Sequence, residues 1–385
     1  MKTIIQHVKL YDGQSTVLEN ASLAFDERGI LAVSKHMIVP EEPTDVVIDG
    51  TGKTVLPGLF DCHVHLGGLS GENQLECGAI AADQLREYLR FGITTVRGCG
   101  SRFNADILVR DMERAGRITG ARVVASGLCI TTTGGHAWAM GHQCDTVDEV
   151  RKAARIQLRE GADQVKLMAS GGMGTKGSDP DMSQMSVEEM RAAVEEAEKR
   201  GALSCAHATG LGGAQCAIEA GVRSIEHTQL TPELCELMIR HGTWYCSTIT
   251  TRYGIVNSTD PSLEWMRKKA KPTDIENMLQ AIRYCRAYGI PMAAGTDSGV
   301  SDLICPLGTG LYRELWLYTE AGLTPEEALR TATGNAAILC GLQHETGTLR
   351  QGLAADVILI DGDPLRDIRQ LANVCMTFHR GRRIY

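Results

Sequence analysis

Val55-Leu56-Pro57-Gly58-Leu59-Phe60-Asp61-Cys62-His63-Val64-His65 is an apolar run that ends on two imidazoles, and the same design recurs down the chain. Short β-prone runs occur at Val55 to Phe60, Thr94 to Arg97, Arg122 to Ser126, Gln164 to Ala169, Leu203 to His207, Ser224 to His227, Trp244 to Thr248 and Met292 to Thr296. Helix-like stretches separate or follow them. The one over Val187 to Arg200 opens on Ser186 with Glu189 three residues on, the pattern of a reciprocal N-terminal cap; Pro325 to Thr333 is another. Eight strand–helix alternations predict an α/β fold of the (β/α)8 TIM-like barrel type, with its site at the carboxyl ends of the strands. A doubly wound open sheet is the competing fold, but no dinucleotide-type glycine fingerprint follows the first strand.

The flanks read differently. Thr3 to Leu10, Ala21 to Phe25 and Val46 to Ile48 alternate with the turns Tyr11-Asp12-Gly13 and Asp26-Glu27-Arg28-Gly29, and Asp356 to Ile360 and Val374 to Phe378 repeat that style at the far end. We therefore expect a small β-sandwich domain built from both termini, residues 1–55 and 345–385, around a barrel over 56–344. A chain of 385 residues exceeds the ~250–300 at which one core stops growing, which fits two units.

With 43% hydrophobic and 22% charged residues and no apolar run near the ~20 needed to span a bilayer, a membrane protein is not expected. The net charge of -8, from 39 basic and 47 acidic residues without a long basic run, argues against a nucleic-acid partner. Thirteen cysteines without paired spacing read as reduced thiols, and no targeting signal is visible at the amino terminus; the expected location is cytoplasmic.

Six of eleven histidines fall at or just beyond proposed strand ends: His63, His65, His136, His142, His207 and His227. In an extended segment, the period-two spacing of His63 and His65 points both rings one way, so they could share a cation. Taken singly, the pair also reads as one exposed and one core histidine. Lys166 lies in Gln164-Val165-Lys166-Leu167-Met168-Ala169, where a lysine must find a partner, lose its charge or snorkel. Its functional reading is a neutral amine that takes up carbon dioxide to give a carbamate. Asp297 follows Ala293-Ala294-Gly295-Thr296 and could cap the next turn or act in a site. Four imidazoles, a buried lysine and a carboxylate on successive strand ends favour the joint reading.

Together Gly58 to His65, Lys166, His207, His227 and Gly295-Thr296-Asp297 resemble the amidohydrolase superfamily, over nearly the whole chain and including the tail Gly352-Leu353-Ala354-Ala355-Asp356. Thr133-Gly134-Gly135-His136 and Met168 to Gly172 resemble its prolidase-like (Xaa-Pro dipeptidase-like) and imidazolonepropionase-like branch. The resemblance implies two divalent metal ions, usually zinc: one held by His63, His65 and Asp297, the other by His207 and His227, with carbamylated Lys166 between them. It implies catalysis by Asp297 as proton shuttle and by His136 at the substrate carbonyl. The implied activity is hydrolysis of C–N amide bonds, on a dipeptide, a carboxypeptidase-type substrate or an N-acyl amino acid. Alternatives are a cyclic-amide hydrolase or deaminase on the same scaffold and a non-catalytic assembly module. His142, Arg252 and Tyr253 are candidate substrate-binding residues for a carboxylate. Dipeptidases of this branch often carry a tyrosine shortly after the sixth-strand histidine, whereas this chain reads His227-Thr228-Gln229-Leu230. The expected partner is a small-molecule amide, with homo-oligomerisation expected as in many such folds.

Overall fold

A computed structural model describes residues 1–385. Seventeen strands run in chain order: β1 Thr3–Tyr11, β2 Val17–Asp26, β3 Gly29–Ser34, β4 Val46–Asp49, β5 Lys53–Pro57, β6 Leu59–Val64, β7 Ile93–Gly98, β8 Arg122–Val124, β9 Cys129–Thr131, β10 Gly141–Gln143, β11 Gln164–Met168, β12 Leu203–His207, β13 Ser224–Glu226, β14 Trp244–Cys246, β15 Val357–Asp361, β16 Val374–His379 and β17 Arg382–Arg383.

The ends of the chain meet in one eight-stranded sheet, ordered β17-β16-β15-β5-β1-β2-β3 with β4 also paired to β1. Two separate layers, as a sandwich requires, are not what the strand pairing describes. The sheet is also mixed: β1 runs parallel to both β4 and β5, whereas β15 lies antiparallel to β5. It has its own apolar core, in which Ile5, Val8, Leu23, Phe25, Val357 and Phe378 are buried. The run Val55 to Phe60 is split by this arrangement. Its first half, in β5, belongs to the terminal sheet, and its second half, in β6, opens the parallel strands.

Between the termini all strand pairs are parallel, in a three-stranded sheet β6-β7-β8 and a six-stranded sheet β10-β9-β11-β12-β13-β14. Helices such as Gln74–Arg90, Val147–Arg159 and Val187–Glu198 follow the strands, the last opened by the expected Ser186–Glu189 capping box. Strands enclosed by helices can be apolar throughout, and β6, β7 and β11 are buried at every position. Two expectations need correction. The third run stops at Val124, and two short strands, β9 and β10, follow it. The eighth run, Met292 to Thr296, is not a regular strand: it makes single bridges, Met292 to Tyr245 and Ser298 to Val64. Its backbone is still tied on both sides, with Ala293 N donating to Tyr245 O (3.0 Å), Cys62 N to Ala294 O (2.9 Å) and Asp297 N to His63 O (2.7 Å). Those bonds carry Asp297 to the ends of β6.

Candidate active site

The carboxyl ends of β6, β12 and β13 and the loop after β9 bring five imidazole rings into one row. Ring centroids lie 5.5 Å apart for His65 and His63, 4.6 Å for His63 and His227, 4.6 Å for His227 and His207, and 4.3 Å for His207 and His136. Asp297 closes the row at one end, its Oδ1 3.0 Å from His65 Nε2 and 3.6 Å from His63 Nε2.

Hydrogen bonds behind the rings decide which nitrogen each ring offers. His65 Nδ1 meets Gly100 O at 2.8 Å and His207 Nε2 meets Gly171 O at 3.0 Å. A carbonyl only accepts, so those nitrogens carry the protons and leave a lone pair on His65 Nε2 and His207 Nδ1. His63 Nδ1 meets Glu226 Oε2 at 2.8 Å and His227 Nδ1 meets Thr248 Oγ1 at 2.5 Å, which leaves Nε2 of each ring toward the cavity. Outer partners of this kind orient metal-ligating histidines. Burial, joined by the neighbouring positive groups, holds His63, His207 and His227 well below the ordinary imidazole range, so all three are neutral Lewis bases at pH 7.

Two buried polar atoms in the centre have no partner, His63 Nε2 and Lys166 Nζ. Orphaned groups at zero exposure are costly unless something occupies the space between them. Donor atoms of His63, His65 and Asp297 also lie within 4.8 Å of one another. The residues present therefore fit divalent cations. For Lys166, burial works against the ammonium, but Cys99, Cys205, Glu226 and Asp297 hold its pKa above the ordinary value. The acidic groups around it thus favour the ammonium over the neutral amine.

Backbone strain concentrates here as well. His227, Thr248 and Asp297 adopt φ of 73°, 52° and 63°. Left-handed conformations of non-glycine residues cost about 1–3 kcal/mol each and persist at functional sites where surrounding structure enforces them.

The cavity over the histidines has a volume of ≈ 400 Å³ and is lined by all six metal-ligand candidates together with His136, Arg252 and several apolar side chains. His136 is 2.9 Å from Thr175 Oγ1 through Nδ1, while Ala137 N donates to that same hydroxyl oxygen at 3.0 Å. The threonine hydrogen can then be given to Nδ1, which would put the imidazole proton on Nε2. Burial, aided by the neighbouring Lys166, pushes the His136 pKa down to about 3, so the ring is neutral at pH 7. It lies so close over Gly172 that a Cβ there would come within 2.5 Å of the ring.

Two expected residues are not in the cavity. His142 Nε2 meets Gln157 Nε2 at 2.8 Å on the helix Val147–Arg159, because the strand β10 turns it outward. Tyr253 packs edge-on against Trp316, 6.2 Å away, on the flank of helix Ile249–Asn257 turned from the cavity. Arg252, one position earlier, does line the cavity, but its Nη1 is bonded to Asp274.

Glu226 and Arg97 belong to the site and were not singled out from the sequence. Both are fully buried, with Arg97 Nη2 2.8 and 2.9 Å from the two Glu226 oxygens and its Nε donating to Cys62 O at 2.5 Å. Their signal was the one used for Lys166, a charged residue inside an apolar strand. Lys269 was missed too: its ammonium donates to Gly172 O at 3.1 Å and Thr175 O at 2.6 Å, fixing the loop that seats His136.

Parallel strands delivering histidines, a lysine and an aspartate to one cavity make a site suited to metal-assisted hydrolysis. The amidohydrolase family model matches residues 54–384, and the chain belongs to that family. It is 31% identical to ochratoxinase of Aspergillus niger over 412 residues, covering 95% of this chain and 82% of that one. Imidazolonepropionase of Rhizorhabdus wittichii is 27% identical over 390 residues, covering 90% and 89%. A Xaa-Pro dipeptidase crystallised with methionine in its active site superposes with a TM-score of 0.90 at 30% identity, covering 100% and 99% of the two chains.

Proposed function

We propose that the chain is a binuclear metal-dependent amidase acting on a dipeptide, a carboxypeptidase-type substrate or an N-acyl amino acid. The carrying observation is the pair of orphaned atoms, His63 Nε2 and Lys166 Nζ, among four imidazoles that each turn one ring nitrogen inward. His63, His65 and Asp297 would hold one cation and His207 and His227 the other. Lys166 would supply an oxygen ligand to both once its ammonium gives up one proton and the neutral amine so formed adds carbon dioxide and loses a second, giving a carbamate. Mixed nitrogen and oxygen ligation suits zinc. When bound, such ions lower the pKa of a coordinated water toward ~7 and polarise a carbonyl.

The chain's own groups do the rest. Asp297 Oδ accepts the proton of the attacking water and returns it to the leaving nitrogen, a role worth ~10²–10⁴ in rate. His136 donates from Nε2 to the carbonyl oxygen as it gains charge. Arg252 keeps guanidinium N–H groups beyond its bond to Asp274 for a substrate carboxylate. His142 and Tyr253 are withdrawn from that role by their positions.

A cyclic-amide hydrolase is the second reading, favoured by the 27% identity to an imidazolonepropionase. Elemental analysis of protein purified without chelator tests the first: about two divalent ions per chain are expected, and activity that survives metal removal would refute it. Linear and cyclic amides assayed side by side separate the two readings.

The bonds of 291–298 to β14 and β6, and of Gln164 N and Asp163 N to Ala125 O (3.2 and 2.8 Å), support a closed eight-position barrel. We place the domain boundaries near Gly58 and residue 345. Thirteen free thiols support a reducing, cytoplasmic setting, and no helix is long and apolar enough to cross a membrane. Homo-oligomerisation remains part of the proposal.

A further inference from the structure

One wall of the cavity is built by a segment outside the strand–helix alternation. Pro261–Leu263 and Glu264–Arg267 form two short turns of helix, tied by Arg267 Nη1 to Ser258 O and Asp260 O, both at 2.8 Å. They set Leu263 and Met266 against Met173, Ile255, Ile304 and Cys305 in an apolar cluster separate from the main core. Met173, Ile255, Met266 and Ile304 face the cavity. Helix Ile249–Asn257 meets this wall backbone to backbone, since a Cβ on Gly254 would fall 1.9 Å from Ile304 O, so the wall cannot slide inward or be widened cheaply.

Most charges beside the wall are already engaged. Asp274 receives Arg252 Nη1, Lys271 N and Gln229 Nε2. Lys269 is spent on loop carbonyls, and the Arg313 guanidinium donates to Thr250 Oγ1 and Ile304 O. The apolar side chains of the wall offer a charged group no partner, so one pressed against them would lose water without compensation.

We propose that this wall is the subsite for one limb of the scissile amide, and that the limb is bulky, apolar and uncharged: an aromatic or branched aliphatic side chain or acyl group. The inference rests on the amide-hydrolase reading and narrows it. Methionine side chains adapt to irregular shapes. The enzyme therefore tolerates many apolar limbs while rejecting charged ones and gaining little from methyl-sized ones.

The test uses the full-length, metal-loaded protein and two substrate series, N-acyl amino acids and dipeptides. In each, one side of the amide carries Ala, Leu, Phe, Lys or Glu in turn. On one side, kcat/KM for Leu and Phe is expected to exceed that for Ala, Lys and Glu by at least about tenfold. Met266→Ala should compress the Leu-to-Ala ratio several-fold, with Ile304→Val as a milder variant should the first fail to fold. Equal rates on both sides, or a preference for Lys or Glu, overturn the subsite. Absence of hydrolysis throughout both series counts against the amide-hydrolase reading instead. The subsite is then judged by calorimetric binding of the same compounds: tighter binding of the Phe and Leu members, weakened in Met266→Ala, supports it, and binding indifferent to the limb overturns it.

Discussion

Two clusters of buried charge lie in this molecule, and they are built on opposite rules. In the seam between the terminal sheet and the parallel strands, every charge faces an opposite one. Arg122 Nη1 is 2.8 Å from Asp356 Oδ2, Arg380 Nη2 is 3.1 Å from Glu113 Oε2, and His379 is 2.8 Å from Asp356 and 3.5 Å from Glu113. His379 sits at ion-pair distance but off hydrogen-bonding direction, so its attraction there is mainly electrostatic. In the row of histidines, by contrast, ring nitrogens and an amine converge on one another. Opposite charges set face to face hold the fold, whereas like donors turned toward one another fit a shared cation.

The sharpest way to break this contrast is at Asp297. Asp297→Asn keeps the size and hydrogen-bonding ability of the side chain but removes its basicity. We expect turnover to fall by ~10²–10⁴, about 3–5 kcal/mol of barrier, with the melting temperature little changed. Steady-state kinetics with parallel metal analysis checks it, and near-normal turnover in folded, metallated protein would remove Asp297 from the chemistry.

Glu226 is where the two rules meet, since it serves the histidine row from one oxygen and neutralises Arg97 with both. Glu226→Gln strands a buried guanidinium, and chemical denaturation should show a loss of about 3–5 kcal/mol. Metal affinity, read by titration with a chelator of known strength, should drop about 10–100-fold because His63 loses its orienting partner. Unchanged metal affinity at reduced stability would assign the carboxylate to the fold alone.

A smaller effect belongs to the seam. Burial disfavours charge on His379, but Asp356 and Glu113 outweigh it and raise its pKa above the ordinary imidazole value. A group whose folded pKa is raised contributes its full stability below the unfolded value of about 6.5 and loses it as pH climbs through the folded value. Thermal unfolding should therefore show wild-type stability declining on the alkaline side of neutrality. His379→Gln should flatten that decline and lower stability near pH 6. An identical pH profile in the variant would show that the seam does not depend on the imidazolium. At the bottom of the scale, Tyr253→Phe and His142→Gln lie outside the cavity, and each should alter the activation free energy by less than about 0.5 kcal/mol.

These contrasts also explain what a reading of residues could reach. His63, His65, Lys166, His207, His227 and Asp297 were legible because strand ends position side chains predictably, and the structure gathers all six at one cavity. Arg97 and Glu226 carried the same sign, charge in an apolar strand, but their meaning lay in each other, and a single sequence does not pair residues from different strands. Arg252 and Tyr253 could not be told apart, because the helix Ile249–Asn257 has little contrast between its faces and tertiary packing alone decides which side meets the cavity. The eighth strand failed for a related reason. Met292 to Thr296 is extended and apolar, but its hydrogen bonds go to Tyr245, Cys62 and Thr331 rather than along one continuous ladder. Met266 and its neighbours gave no signal at all, since that wall exists only once a loop folds back over the strand ends.

The register of β5 against β15, pairing Pro57 with Val357 and Lys53 with Asp361, sets an order of events for a chain made from its amino end. The first strands leave the ribosome long before their partner, and contacts so distant in sequence are slow to close. Until β15 emerges, β5 presents an open edge beside the apolar side chains of β1 and β2, the condition under which growing chains pair with the wrong neighbour. Loss of the last thirty or so residues, by truncation or stalled synthesis, would therefore leave the parallel strands and their histidines in place while giving the protein a sticky amino-terminal sheet.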